Sequence, residues 1–394
     1  MENLKAKYEN NILTLYLIGH IDSSNAAKVE EAATEERSKA PDAKELILDA
    51  QDLKYISSAG LRVILRIRKS RADVRIINVS PEVYEILDMT GFTEMIKVEK
   101  AYRVISVDGC EQIGQGANGA VYRIDPDTIV KVYVNPDSLP DIRRERELAR
   151  KALILGIPTA IPYDVVRVGD GYGSVFELLN AKSFAKILTE DASKLDEVAH
   201  MSVDLLKKIH STIVPDGDMP SMKGVALKWA KFMLDYLPKE KAEKLVRLVE
   251  EVPEDPHLLH GDYHLKNVMI QDGEVLLIDM DTLCTGHPVF EFASAYNAYQ
   301  GYSCVDHETV HRFLGITYEQ GREFWNKTLQ YYFDDRTPEK IEKIAEKAEL
   351  IGYTRIMRRS IRRGGLEDET EKVFIEFCRK RILELLDSVD TLLF

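Results

Sequence analysis

The sequence predicts two unlike modules: an α/β sandwich over residues 1–101, then a two-lobed α+β module over residues 102–394 whose C-terminal lobe is mostly helical. Three observations carry this expectation. Strand-forming runs alternate with helical spacing as far as Glu82, the pattern of an α/β layer. A glycine-rich turn at Gly114–Gly119 is followed by further strand-like runs, not by a helix. From Val289 to the end, helical spacing dominates.

Bulk composition narrows the class. With 394 residues, 45% apolar and 30% charged, the chain can bury real cores in more than one domain. The formal net charge of -13 argues against nucleic acid as a partner, since a phosphate backbone needs a basic face. Cys110, Cys284, Cys304 and Cys378 are scattered and form no C-x-x-C, which suits reduced thiols. Met1-Glu2-Asn3-Leu4-Lys5 lacks the basic-then-apolar order of a secretion signal, and no apolar run reaches the roughly 20 residues of a membrane span. The expectation is a cytoplasmic protein without a membrane partner.

In the first module, Ile12–Asp22 is rich in strand formers and ends in a turn signal. Residues 25–39 have helical spacing, with Ser24 or Asn25 as the expected cap. Glu45–Ala50 reads as a second strand, Leu61–Arg71 as a helix and Val74–Val79 as a third strand; Ser80-Pro81-Glu82 opens another helix. Gly19-x-Ile21-Asp22, Tyr55-Ile56-Ser57-Ser58-Ala59-Gly60-Leu61 and Ile86-Leu87-Asp88-Met89-Thr90-Gly91-Phe92 together resemble a STAS domain, the fold of bacterial anti-sigma-factor antagonists. The resemblance covers about residues 1–100 and implies an anti-sigma factor or another regulatory protein as partner. It also implies a phosphosite two residues before the motif glycine, at Ser58, with Ser57 standing where the family usually carries Asp. A hydroxyl at a helix start faces free N–H groups that stabilise an added phosphate. The plainer alternative is that Ser57 or Ser58 simply caps the helix.

The second module opens with no Pro/Gly/Ser-rich linker. Ile113-Gly114-Gln115-Gly116-Ala117-Asn118-Gly119-Ala120-Val121 has the G-x-G-x-x-G-x-V spacing of a loop that lets backbone approach phosphates. A dinucleotide-binding turn shares the glycines, but it would lead into a helix. Here Val121–Ile124 and Thr128–Tyr133 read as strands, the second with Lys131 at its centre. The helix Asp141–Leu155 carries Glu145 and Glu147; either can pair with Lys131, with Glu145 the first choice. Gly173–Leu179 reads as a strand entering a hinge, where Glu177, Leu178 and Leu179 would meet the adenine edge of a nucleotide.

Downstream lies His260-Gly261-Asp262-Tyr263-His264-Leu265-Lys266-Asn267, followed by Ile278-Asp279-Met280-Asp281. An Asp and an Asn five apart, then a second Asp on the next strand, suit phosphoryl transfer. One carboxylate can orient a hydroxyl, while the Asn oxygen and the other carboxylate hold Mg2+ on ATP phosphates. A zinc site on His260 and His264 fits poorly, because Gly261 disfavours a helix that would present both imidazoles on one face.

With the upstream elements in this order, residues 103–394 resemble the aminoglycoside phosphotransferase and choline-kinase branch of the protein-kinase-like fold. His260-Gly261-Asp262 in place of H-R-D, Ile278-Asp279-Met280-Asp281 in place of D-F-G, Gly286-His287-Pro288-Val289-Phe290-Glu291 and Gly156-Ile157-Pro158-Thr159 carry that assignment. The resemblance implies Asp262 as catalytic base, His264 near the γ-phosphate, and Asn267 and Asp279 as Mg2+ ligands. It implies Gly114, Gly116, Gly119, Val121, Lys131 and Glu145 around ATP, and a structural His260. Asp281 is left as a supporting or substrate-contacting residue.

The acceptor is expected to be a small-molecule hydroxyl, with a STAS serine such as Ser58, or a nucleotide-dependent antagonist switch, as the alternatives. Glu291, Tyr296, Tyr299, Trp325, Tyr331 and Tyr332 are candidate acceptor contacts that would favour a cationic amine, although aromatics in such a stretch more often belong to the core. The basic run Arg355–Arg363 reads first as a solvated helix face, with an anionic substrate or the partner module as the alternative contacts.

Overall fold

The computed structural model describes residues 3–70, 73–116, 119–135, 138–215 and 217–394. The chain divides into two compact units, Met1–Ile105 and Ser106–Phe394. Among the described residues no helix is long and apolar enough to cross a membrane.

The first unit is built on a five-stranded sheet in the order Leu4–Glu9, Ile12–Ile21, Glu45–Ile56, Val74–Val79, Lys97–Lys100. The first pair is antiparallel and the other three are parallel. Leu13, Leu15 and Leu17 are buried on alternate positions of their strand, the period of two that a strand imposes. They share a core with Val29 and Ala33 of the helix Ala26–Lys39 and with Leu61, Ile64 and Ile67 of the helix Ser58–Ser70. Each such leucine, fully buried, contributes about 1.5–3 kcal/mol.

Several boundaries differ from the sequence expectation. The third strand runs to Ile56, because its parallel pairing with the second continues from Ile12↔Glu45 to Ile21↔Ile56. The following helix therefore begins at Ser58, earlier than Leu61, and its expected last residue, Arg71, lies outside the described residues. Asn25 occupies the cap of the first helix but its carboxamide turns back, accepting from Asp22 N at 2.9 Å and donating to His20 O at 2.8 Å. Ser57, not Ser58, supplies the oxygen at the second helix start, accepting from Ala59 N at 3.2 Å. Ser58 is exposed. Gly60 makes this junction possible, since a Cβ there would sit 2.6 Å from Ile56 Cγ1 and 2.9 Å from Ile21 O.

In the second unit, the strands Glu111–Gln115, Gly119–Asp125, Thr128–Tyr133, Gly171–Glu177 and Pro162–Val168 are neighbours in that order and antiparallel throughout. The helix Leu139–Ile154 begins two residues earlier than expected, with Pro140 in its first turn, where a missing N–H costs nothing. It ends at Gly156, φ +78°, and Ile157 N closes back on Ala152 O at 3.0 Å. From there Pro158 O accepts from Leu277 N at 2.8 Å, which ties the helix end to the strand Glu274–Leu277 just before Asp279.

The rest of the unit is mainly helical. The helix Val289–Tyr299 is buried over all eleven of its residues, and the helix Pro338–Arg362 packs against it. Tyr296, Tyr299 and Trp325, read above as acceptor contacts, belong to this core and are 5% exposed or less. A helix apolar on every side has to be interior.

Candidate active site

Lys131 sits in mid-strand, directly opposite Val121 and Ser174 on its two neighbours. Its ammonium lies 2.9 Å from Glu145 Oε1 and 3.1 Å from Asp279 Oδ1. A strand, a helix and a distant turn thus converge on one cation. Burial pulls the Lys131 pKa down, but the charges of Glu145 and then Asp279 outweigh it, leaving the ammonium held well above the usual lysine value. The choice between the two glutamates is settled by burial. Glu145 is 5% exposed and also accepts from Tyr133 OH, whereas Glu147 faces solvent and pairs with Arg150 at 3.2 Å. Two residues along a helix is about 200° around its axis, so one helix cannot turn both toward Lys131.

The glycine-rich turn is partly described, since Ala117 and Asn118 lie outside the described residues. Gly116 N donates to Gly119 O at 2.8 Å across the turn. A Cβ on Gly119 would fall 2.1 Å from Val132 O, so packing alone demands glycine there. At Gly114 and Gly116 the nearest atoms to such a Cβ are 3.5 and 3.8 Å away, ordinary contact distances. Packing does not explain those two glycines. Leu179 follows the strand that ends at Glu177; Glu177 N and Leu178 N are already engaged, by Ile161 O at 3.0 Å and Asp127 O at 2.8 Å.

The loop His260–Asn267 is held from several directions. His260 Nε2 meets Ile278 O at 3.1 Å, and Asp262 N donates to His260 Nδ1 at 3.3 Å, so this imidazole ties the loop to the strand before Asp279. Thr282 Oγ1 donates to His260 O at 2.7 Å. Gly261 has φ +81°, and a Cβ on it would lie 2.5 Å from Thr282 O, so glycine is required twice over. Asn267 Nδ2 donates to Asp262 O at 3.0 Å, which leaves the amide oxygen as the free end of that side chain.

Beneath the loop lies Glu291, fully buried. Its carboxylate accepts from His260 N at 2.5 Å and from Gly261 N at 3.0 Å, with His210 Nε2 at 3.7 Å. Expected as an acceptor contact, Glu291 instead supports the loop from the side of the core. Arg355 completes the frame. It donates to Ser294 Oγ at 2.8 Å and to Gly261 O at 3.3 Å, and its Nη2 lies 3.9 Å from Asp262 Oδ1. Ser294 escapes sequence reasoning because it lies 33 residues from Gly261, and Arg355, read only as part of a basic run, lies 94 residues away.

Asp262 has His264 Nε2 3.4 Å from its Oδ2. Burial alone would raise its pKa, yet the hydrogen bond and charge of His264, with Arg355 and His260 behind, hold it down at about 2. Asp262 is therefore a carboxylate at neutral pH. His264 is buried, its ring edge-on to Phe313 at 5.0 Å. Asp279 stands at φ +65°, which turns its side chain off the strand line, and it is partly exposed. Asp281 is pushed up to about 7, by burial first and then by the negative charge of Asp279 and Glu145. The pocket thus carries more carboxylate than Lys131 alone neutralises.

Among the described residues no group of three or more His, Cys, Asp or Glu could hold a metal unaided. An Asn oxygen plus one carboxylate is nonetheless what Mg2+ asks of a protein when phosphates supply other ligands. The surplus of negative charge around Asp279 fits that ion.

A paired lysine, a glycine turn and a braced Asp–Asn loop on an antiparallel sheet and helical lobe define a kinase-like phosphotransferase fold. A model described as "Phosphotransferase enzyme family" matches residues 109–324, more than half of the chain, and the chain belongs to that family. The match ends before the helix Pro338–Arg362. The first unit is a STAS domain, matched over residues 3–104. It is 30% identical over 93 residues to a putative anti-sigma factor antagonist BtrV of Bordetella bronchiseptica, covering 23% of this chain and 78% of that protein. Among solved structures, a thermostable mutant of aminoglycoside phosphotransferase APH(4)-Ia in complex with ADP and hygromycin B is similar in fold. The TM-score is 0.50 at 13% identity, over 71% of this chain and 93% of that one. The gentamicin complex of APH(2")-IIa gives 0.47 at 18% identity, over 79% and 98%.

Proposed function

We propose that the second unit is an ATP- and Mg2+-dependent phosphotransferase acting on a small-molecule hydroxyl, and that the STAS unit is its regulatory or partner-binding module. The observation that carries this reading is the Lys131–Glu145–Asp279 constellation. Three elements up to 148 residues apart assemble the charge arrangement that phosphoryl transfer needs.

ATP with Mg2+ supplies the γ-phosphoryl group, leaving as ADP. Lys131, held by Glu145, binds the phosphates, and the backbone around Gly114 and Gly116 covers them without side chains in the way. The backbone at Leu179 meets the adenine edge, since the N–H groups of Glu177 and Leu178 are engaged by Ile161 O and Asp127 O. Asn267, through its amide oxygen, and Asp279 hold the metal; His264 stands beside Asp262 and steadies its charge. Asp262 orients the acceptor hydroxyl and takes up its proton as the new P–O bond forms, then releases it to water. A carboxylate with so low a pKa is a weak base, so positioning contributes more than proton affinity.

The full chain incubated with MgATP and a panel of hydroxyl compounds tests this. ADP release that requires both Mg2+ and one panel member supports the reading; ADP release independent of every acceptor would sink it. The same incubation with labelled ATP addresses Ser58, whose exposure at a helix start is the feature favouring a protein acceptor. Label on the protein that disappears in Ser58→Ala would move the acceptor from a metabolite to the STAS unit.

A further inference from the structure

Lys131 and Tyr133 stand two residues apart on the strand Thr128–Tyr133, so their side chains leave the same face of the sheet. That face meets Glu145, whose carboxylate is divided between them. Oε1 pairs with the Lys131 ammonium at 2.9 Å, and Oε2 accepts from the Tyr133 hydroxyl. The ammonium also lies 5.3 Å from the centre of the Tyr133 ring. On the neighbouring strand, Gly119, the last glycine of the turn, is directly opposite Tyr133. Tyr133 therefore stands where the glycine turn, the strand lysine and the helical glutamate meet.

The hydroxyl is a dependable donor. Burial first, and then the charge of Glu145, raise the Tyr133 pKa well above that of a free phenol, so the proton stays in place at neutral pH. The carboxylate it holds has reason to move. Glu145 shares its surroundings with Asp279 and Asp281, and like charges repel it. Glu145 and Asp279 are the two carboxylates on Lys131, the second at 3.1 Å. Once Asp279 turns to the metal, Glu145 is the partner left to aim the ammonium at the phosphates.

Resting on the phosphotransferase reading, we propose that Tyr133 is a positioning residue for nucleotide binding. By fixing Oε2 of Glu145 it keeps Oε1 on Lys131, and so sets the ammonium where the ATP phosphates bind. Tyr133 acts through Glu145 and not on the nucleotide.

Tyr133→Phe isolates the hydroxyl, because it keeps the ring in the core and beside the ammonium. Calorimetric titration with MgATP compares the full chain as wild type, Tyr133→Phe, Glu145→Ala and the double variant. Should Glu145→Ala melt below the titration temperature, Glu145→Gln takes its place. A tyrosine that merely packed would lower affinity by the same factor in both backgrounds. The expected result is a loss of at least about fivefold from Tyr133→Phe when Glu145 is present, and of less than about twofold when it is not. Undiminished MgATP affinity in Tyr133→Phe, or an equal loss in both backgrounds, overturns the inference alone. A wild-type chain that binds no MgATP counts against the phosphotransferase reading itself, so the two failures are told apart.

Discussion

Glu291→Gln tests how far the catalytic loop depends on a residue that never touches substrate. The wild-type carboxylate accepts from the N–H groups of His260 and Gly261 in a fully buried site. Glutamine keeps one acceptor oxygen and sets an NH2 against the Gly261 donor, leaving that N–H only its longer contact of 3.2 Å to Oε2. A hydrogen bond to a charged group is worth about 1.5–3 kcal/mol, and an orphaned buried donor costs a similar amount. A net loss of about 2–3 kcal/mol lowers the melting temperature of a unit this size by about 3–5 °C. The STAS unit should melt unchanged, so calorimetry of the full chain should show one transition moving. A displacement of Asp262 by about 1 Å would cost about a hundredfold in turnover. The sign of the pH dependence follows from the Glu291 pKa. Burial works against the charge, but His210 and the His260 N–H outweigh it, and the pKa ends below the ordinary 4.5. A depressed carboxylate stabilises the fold above its unfolded pKa and loses that contribution as pH falls toward the folded one. The gap between wild type and Glu291→Gln should therefore be full at neutral pH and narrow below pH 4.5. A variant that melts with the wild type at pH 7 refutes the supporting role.

Two further substitutions separate packing from ligand roles. Gly119→Ala should destabilise the second unit by about 1–3 kcal/mol or more, because its Cβ meets Val132 O, and thermal melting reads this directly. Gly116→Ala has room for its methyl, so it should melt normally while MgATP affinity falls by calorimetry. Glu145→Gln should weaken MgATP binding at least about tenfold, or about 1.4 kcal/mol, whereas Glu147→Gln, whose partner is Arg150 on the surface, should change it little.

What was legible in the sequence was local. The strand Thr128–Tyr133 follows from its β-branched residues and the turn before it, and Lys131 inherits its place from that strand. The STAS motif residues Ser57–Gly60 fall at a strand-to-helix junction, although the helix starts three residues early. Contacts between distant segments were not legible. Glu291 under His260, and Ser294 and Arg355 on Gly261, join positions 31 to 94 residues apart, and no periodicity encodes such pairs. Glu145 and Glu147 share a helix and a chemistry, so burial had to choose between them. Tyr296 and Tyr299 carried a signal that could have been used. Their helix, with Glu291 as its one charged residue, is apolar on every face, which belongs to an interior helix more than to a cleft wall.

The central claim is that Asp262 acts on the acceptor hydroxyl at a site where Lys131, Asn267 and Asp279 hold MgATP. The most direct measurement pairs ADP release in the presence of the acceptor with the dissociation constant of MgATP, for wild type and Asp262→Asn. The account predicts turnover reduced by about 100-fold or more in the variant, with nucleotide affinity kept within about threefold, or about 0.7 kcal/mol. Turnover at the wild-type rate in Asp262→Asn, with the acceptor phosphorylated as before, would contradict it.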